Sequence, residues 1–310
     1  MRVAVLDLGT NTFNLLIAEI DDKQYSIIHS SKMPVRLGEG GITKKTITLS
    51  AMQRGIEALF VHKKKIEELE VNKTVAFATS AVRDADNGTE YTKHIKNETG
   101  FEIKIIDGNT EAEFICKGVK LAISFSHNPF LIMDIGGGST EFIIANQKEI
   151  LWKKSFQLGV SRLLEMFNPS DPISKENVLE LTAYLRAELQ PLYAVLKKYP
   201  CIQLVGSSGS FDTLAEITSL HFFNKPLQGD AKEYLFAEND FNFLYQLLLP
   251  TTLQQRLKIP GMLPMRADMM VVGIILIDEV LKQSNIQKVK MSAYSLKEGV
   301  LASILNNEFY

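Results

Sequence analysis

Residues 3–20 read VAVLDLGTNTFNLLIAEI, and residues 131–148 read LIMDIGGGSTEFIIANQK. Each is an apolar run, a short turn of aspartate, glycine and hydroxyl residues, and a second apolar run. Short apolar runs interrupted by such a turn read as two antiparallel strands in a tight hairpin. DDK after the first copy and NQK after the second supply another turn, so a third strand is expected over 25–29 and again over 150–154. Placing Asp7 on Asp134 also places Gly9 on Gly136 and Thr12 on Ser139. The chain therefore predicts a duplicated unit, each half opening on a hairpin.

The remainder fits that division. TVAFATSAVRDADN (74–87) and IQLVGSSGSFDTLAE (202–216) each read as a strand running into small residues and a helix start. Apolar recurrence predicts helices over 49–65, 110–122 and 175–196, a buried helix over 267–281 and a final helix over 297–305. The polar SFSHNP stretch marks the expected end of the first half, giving units of 1–124 and 125–310, with the last helix able to pack back on the first. The fold class is α/β, with mixed sheets opened by hairpins.

Composition narrows the function. With 310 residues, 45% hydrophobic and 23% charged, this is an ordinary globular chain. A formal charge of -2 draws no polyanion by its mean field, so a phosphate-rich substrate needs a local positive cleft or a bound metal. Lys63, Lys64 and Lys65 read as a solvated helix face, and nothing resembles a nucleic-acid motif. Cys116 and Cys201 form no CxxC pair and read as free thiols in a reducing compartment. The first residues do not read as a signal peptide, and VVGIILI (271–277) is too short to span a bilayer, so the expected location is cytoplasmic. His29, His62, His94, His127 and His221 show no HExxH spacing, which argues against a histidine-bound transition metal.

The turns point to phosphate. Glycine leaves backbone amides uncovered, and successive amides form an anion-binding nest. The turn Gly9, Thr10, Asn11, Thr12 and the turn Gly136, Gly137, Gly138, Ser139, Thr140 are such candidates, with hydroxyls as further donors. Asp7 and Asp134 would repel a naked phosphate, and make sense if a divalent cation sits between carboxylate and phosphate. Neither turn is a Walker A loop, and neither opens a helix as a Rossmann fingerprint does. A further small-residue turn, Gly206, Ser207, Ser208, Gly209 and Ser210, precedes a helix whose first amides could hold a phosphate.

In order along the chain, DLGTNT, TSAVRDADN, GNTEAEFICKGV, DIGGGSTE, VGSSGS, RADMM and SLKEGVL resemble the pattern of the exopolyphosphatase / guanosine pentaphosphate phosphohydrolase family, from residue 5 to about residue 301. The resemblance implies two ribonuclease-H-like domains facing a cleft, the fold of the actin-like, Hsp70 and sugar-kinase ATPase superfamily. It implies Mg2+-dependent hydrolysis of a terminal phosphoanhydride, with Mn2+ able to replace Mg2+, and a homodimer. The substrate it implies is polyphosphate or a phosphorylated guanine nucleotide. The family's catalytic glutamate falls on Glu111, and Arg83 is the expected fixed cation on the substrate, with Asp84 or Asp86 as structural partners in the alternative. Glu141 is placed with Asp7 and Asp134 around the metal, or in a salt bridge at the strand edge. Arg36 is a weaker candidate to reach the cleft. Glu113 faces elsewhere as a surface residue, Arg266 and Asp268 order the core or cleft edge, and Lys297 and Glu298 make interdomain contacts. Asn14 departs from the family, where many relatives carry arginine. An ATP-using phosphotransferase and a nucleotide-responsive binding module on the same fold are the alternatives.

Overall fold

The computed structural model of the protein describes residues 1–308 apart from 23, 126, 230 and 307. Residue 23 of the DDK turn and residue 126 of SFSHNP thus lie outside the described residues. In the first sheet, β1 (Arg2–Leu8), β2 (Thr12–Asp21) and β3 (Gln24–Pro34) form an antiparallel ladder. β4 (Lys73–Ala78) lies parallel beside β1, and β5 (Ile103–Ile105) parallel beside β4. The order is β3-β2-β1-β4-β5. The second sheet holds β6 (Phe130–Ile135), β7 (Thr140–Ala145), β8 (Ile150–Phe156), β9 (Gln203–Ser207), β10 (Glu233–Leu235) and β11 (Lys288–Ser292) in the order β10-β11-β9-β6-β7-β8. Strand for strand it repeats the first sheet, with β10 added on the outer edge.

The duplication extends to single hydrogen bonds. Gly9 N donates to Thr12 O at 3.0 Å, and Gly136 N donates to Ser139 O at 3.0 Å. Asp7 faces Asn14 across the first hairpin as Asp134 faces Glu141 across the second. Val3 to Leu6 are fully buried because helices cover both faces of the sheet, as parallel strands require. β3, on the edge, alternates exposed and half-buried.

In the first half the helices are α1 (Leu49–Glu68), α2 (Ser80–Arg83), α3 (Gly88–Thr99) and α4 (Gly108–Ala122). They are followed by α5 (Val160–Phe167), α6 (Lys175–Glu188), α7 (Gln190–Lys198), α8 (Ser208–Phe223), α9 (Asp240–Leu248), α10 (Leu253–Arg256), α11 (Met270–Lys282) and α12 (Leu296–Leu305). The helix expected over 175–196 is two helices that meet at Leu189. Pro191 explains the break: it lacks an N–H and its ring crowds the preceding turn, but it is well suited to the start of a new helix. The helix expected from 267 starts at Met270, after a 3-10 turn at Pro264–Arg266, and Met270 to Ile277 are all buried. Among the described residues no helix is long and apolar enough to cross a membrane.

Among the described residues three hydrophobic clusters form the core. Two lie on the outer faces of the sheets, and the third joins Val5, Leu16 and Phe77 of one sheet to Ile132, Ile143 and Val205 of the other. α4 and α12 fill this middle layer in crossed fashion: α4 packs on β7 and β8, and α12 packs on β1 and β2. The two helices cross backbone to backbone. A Cβ on Gly118 would lie 1.8 Å from the Ser295 carbonyl oxygen, and one on Gly299 would lie 1.7 Å from that of Phe114.

Gly118→Ala should therefore lower unfolding stability by about 3 kcal/mol, because the clash is with backbone that cannot rotate away; a chemical denaturation curve measures it. Burial pushes the Cys116 thiol up to about 11 and the Cys201 thiol up to about 12. At pH 8 only about one Cys116 in a thousand is thiolate. Both should resist iodoacetamide in the native protein at pH 8 and react once it is denatured, as mass spectrometry would read.

Candidate active site

The two hairpin turns meet at the mouth of the middle layer. A Cβ on Gly137 would lie 2.7 Å from Asn11 Nδ2, and one on Gly138 would lie 2.4 Å from Ser80 Oγ. These glycines are thus required for the halves to touch, besides any anion nest. Asn11 ties the contact further by accepting from Ser161 Oγ at 2.7 Å. Beside the contact lies a cavity of about 110 Å3.

Most of the expected residues line it: Asp7, the turn Gly9–Thr12, Glu111, Asp134, the turn Gly136–Ser139, Ser208 and Gly209. Others stand behind it. Thr140 Oγ1 donates to Leu158 O at 2.9 Å, Ser207 Oγ donates to Asp134 at 2.5 Å, and Gly206 is covered by the Phe211 ring. Glu141 is buried and accepts from Ser155 Oγ at 2.6 Å. Arg36 does not line the cavity: it bonds Asp268 at 3.0 Å and Met265 O at 3.1 Å, joining the two halves. Glu113 is half-exposed and paired with Lys153.

Glu111 owes its place to a cap. Asp107 accepts from the amides of Asn109 and Thr110, which starts α4 and leaves Glu111 in its first turn. The Glu111 carboxylate accepts from Arg83 at 2.7 Å. Burial raises its pKa well above the usual carboxylate range, the charge on Glu141 adds to the shift, and Arg83 offsets only part of it. Glu141 is raised as well, by burial and then by Asp134. Arg83 is not on the cavity wall; it turns to Glu111, to Asp84 at 3.5 Å and to Ile106 O. Asp84 in turn accepts from Arg162 of α5 at 2.9 Å, and Arg162 also donates to Gly138 O and Ile42 O. A chain of charge thus runs from Glu111 through Arg83 and Asp84 to the other half.

Asp134 accepts from Ser207, Ser208 and Ser295 at 2.5, 2.7 and 2.5 Å, so its carboxylate is held in one orientation. Asp7 accepts from Asn14 at 2.8 Å, and burial lifts it to about 6. Among the described residues no three acidic, histidine or cysteine side chains are placed to hold a metal by themselves. The set nevertheless suits Mg2+, which takes one or two carboxylates and completes its shell with water and substrate phosphate. Asp7 and Asp134, one from each repeat, line one cavity, and the charge on Asp134 adds to the cost of ionising Asp7, which a dication would relieve.

Several cavity residues had no assigned place there. Lys32, Ser80, Asp212 and Ser295 all line it. Arg266, expected at the core or the cleft edge, and Lys297, expected between domains, line it as well. Lys297 is buried and bonded to Glu298 at 2.8 Å, while the buried Nε of Arg266 has no hydrogen-bond partner among the described residues. Ser80, Arg266, Ser295 and Lys297 fall inside motif stretches quoted above, but their meeting is not local: Ser295 reaches Asp134 across 161 positions.

Two repeats of one sheet order, opened by glycine hairpins and facing across a carboxylate-lined cavity, define an α/β protein of the actin-like, Hsp70 and sugar-kinase architecture. Within it, the chain belongs to the Ppx/GppA phosphatase family, whose model matches residues 16–308. The crystal structure of an exopolyphosphatase from Cytophaga hutchinsonii superposes with a TM-score of 0.96 at 41% identity, over 99% of this chain and 98% of that one. The Aquifex aeolicus Ppx-GppA enzyme superposes at 0.80 with 26% identity, over 98% and 99%. Exopolyphosphatase 1 of Mycobacterium tuberculosis is 28% identical, over 99% of this chain and 89% of its own. The protein is thus an enzyme of the phosphoanhydride-hydrolase type, and family membership implies a divalent-metal-dependent mechanism.

Arg162→Met should cost about 3 kcal/mol of stability, since it leaves Asp84 and two carbonyls without their buried partner. The denaturation midpoint should fall with an unchanged slope.

Proposed function

We propose that the protein is an exopolyphosphatase: it hydrolyses the terminal phosphoanhydride of inorganic polyphosphate and releases orthophosphate. One observation carries the reading. Glu111, a carboxylate with raised proton affinity, lines the same cavity as both glycine turns and is oriented by Arg83. In this reading the turns 9–12 and 136–139 hold the terminal phosphoryl group, with Ser208 and Gly209 at the start of α8 as further donors. Arg266 and Lys297 neutralise its oxygens. Glu111 orients a water and takes its proton as the water oxygen bonds to phosphorus and the bridging P–O bond breaks. Asp7 and Asp134 would hold Mg2+, which supplies charge neutralisation on the phosphoryl oxygens, with Glu141 behind them. Asn14 also lines the cavity, and its amide donates to Asp7 at 2.8 Å. The relatives named as exopolyphosphatases support polyphosphate as the substrate. The halves, divided near residue 124, act as jaws of a cytoplasmic enzyme, and sedimentation would test the homodimer.

Phosphate release from polyphosphate, guanosine pentaphosphate and ATP, with Mg2+ and no acceptor, tests the reading. Glu111→Gln should lower release from polyphosphate at least about 100-fold while phosphate binding persists. Release indifferent to Glu111 would sink the mechanism. Preference for guanosine pentaphosphate would replace the substrate, and release only with an acceptor would make the protein a kinase.

A further inference from the structure

The cavity contains an anion that the reaction does not use. Asp212, in the first half of α8, lines it and is about one-quarter exposed, at 28%. Its Oδ2 accepts from Lys32 Nζ at 2.9 Å, and Lys32 belongs to β3 on the opposite sheet. Lys32 stands directly across the ladder from Asn14, whose amide is turned to Asp7, so Lys32 is the cation at this corner of the cavity.

Two more cations share that carboxylate. Arg266 lies against the start of α8 so closely that a Cβ on Gly209 would be 1.8 Å from its Cζ, and its buried Nε has no hydrogen-bond partner among the described residues. Burial lowers the pKa of Arg266, and the charge on Asp212 works against that loss. Lys297 is also penalised by burial, but Glu298, Asp7 and Asp212 outweigh the penalty. Lys32, Arg266 and Lys297 come from three separate elements, and all three have Asp212 within electrostatic reach.

We propose that Asp212 is a specificity-determining residue: an internal anion that occupies the cleft cations until a polyvalent phosphate displaces it. The proposal rests on the phosphoanhydride reading above. A small anion entering the cavity meets the cations and Asp212 together, so repulsion cancels much of its gain. A phosphate chain bears charge at several points, and can bind Lys32 and the buried cations at once while Asp212 turns to solvent. Its partial exposure leaves it that path. Asp212 thereby favours substrate over the orthophosphate product and promotes product release.

The test is calorimetric binding of orthophosphate and of tripolyphosphate to the full chain carrying Glu111→Gln, which prevents turnover. Asp212→Asn added to it should tighten orthophosphate binding about fivefold and tripolyphosphate binding less, so that the affinity ratio falls. Asp212→Glu should keep the original ratio, and Lys32→Met should weaken tripolyphosphate more than orthophosphate. A ratio unmoved by Asp212→Asn, equal weakening of both ligands, or no binding of either ion to any form overturns the proposal. Phosphate release by the otherwise unaltered protein is followed in parallel. A falling ratio without release from polyphosphate would leave the role of Asp212 standing and remove the substrate assignment instead.

Discussion

The contact on which the molecule depends is the crossing of α4 and α12 at Gly118 and Gly299. Each helix follows the last core strand of its repeat and packs on the sheet of the other repeat. A side chain at either glycine would push the backbones apart and separate the sheets they join. The crossing also directs chemistry. Glu111 sits in the first turn of α4, and Ser295 and Lys297 sit at the start of α12. Close approach of the two helices brings these groups to one cavity with Asp134 and Asp7.

The cavity is built from opposed charges that are not at rest. Asp7, Glu111, Asp134 and Asp212 line it with Lys32, Arg266 and Lys297. Burial raises Asp7 and Glu111, and Arg266 is lowered. For Asp7, Glu111 and Arg266 burial disfavours the charged form that solvent would favour. A dication together with a polyanion answers both signs at once, whereas either alone leaves one set unmatched. The tension is sustained by rigid support behind it: three hydroxyls on Asp134, and the Arg83–Asp84–Arg162 link behind Glu111.

Much of the plan was legible because it is local. A strand, a glycine turn and a returning strand are neighbours in sequence, and the matching bonds of Gly9 and Gly136 follow from matching residues. What failed to be legible has physical causes too. Pro191 split a helix whose apolar recurrence ran on without interruption. For Arg83 the sequence offered both a phosphate contact and a pair with Asp84; the structure holds the Asp84 pair and adds Glu111, so a buried and a half-buried carboxylate share it. Arg266 reads as core or cleft edge, and its position under Gly209 is made by an approach across 57 residues of chain.

The sequence by itself therefore determined the repeated hairpins, the pairing of Asp7 with Asp134 as equivalents, and the helix start that presents Glu111. These depend on alternation, turn chemistry and capping, which act over a few residues. Only the tertiary structure decided which charges share a cavity, which stand behind it, and that Asp212 opposes three cations. Those relations depend on distances between residues far apart in the chain, and distance, with the burial that strengthens it, is what sets the energy of a charge.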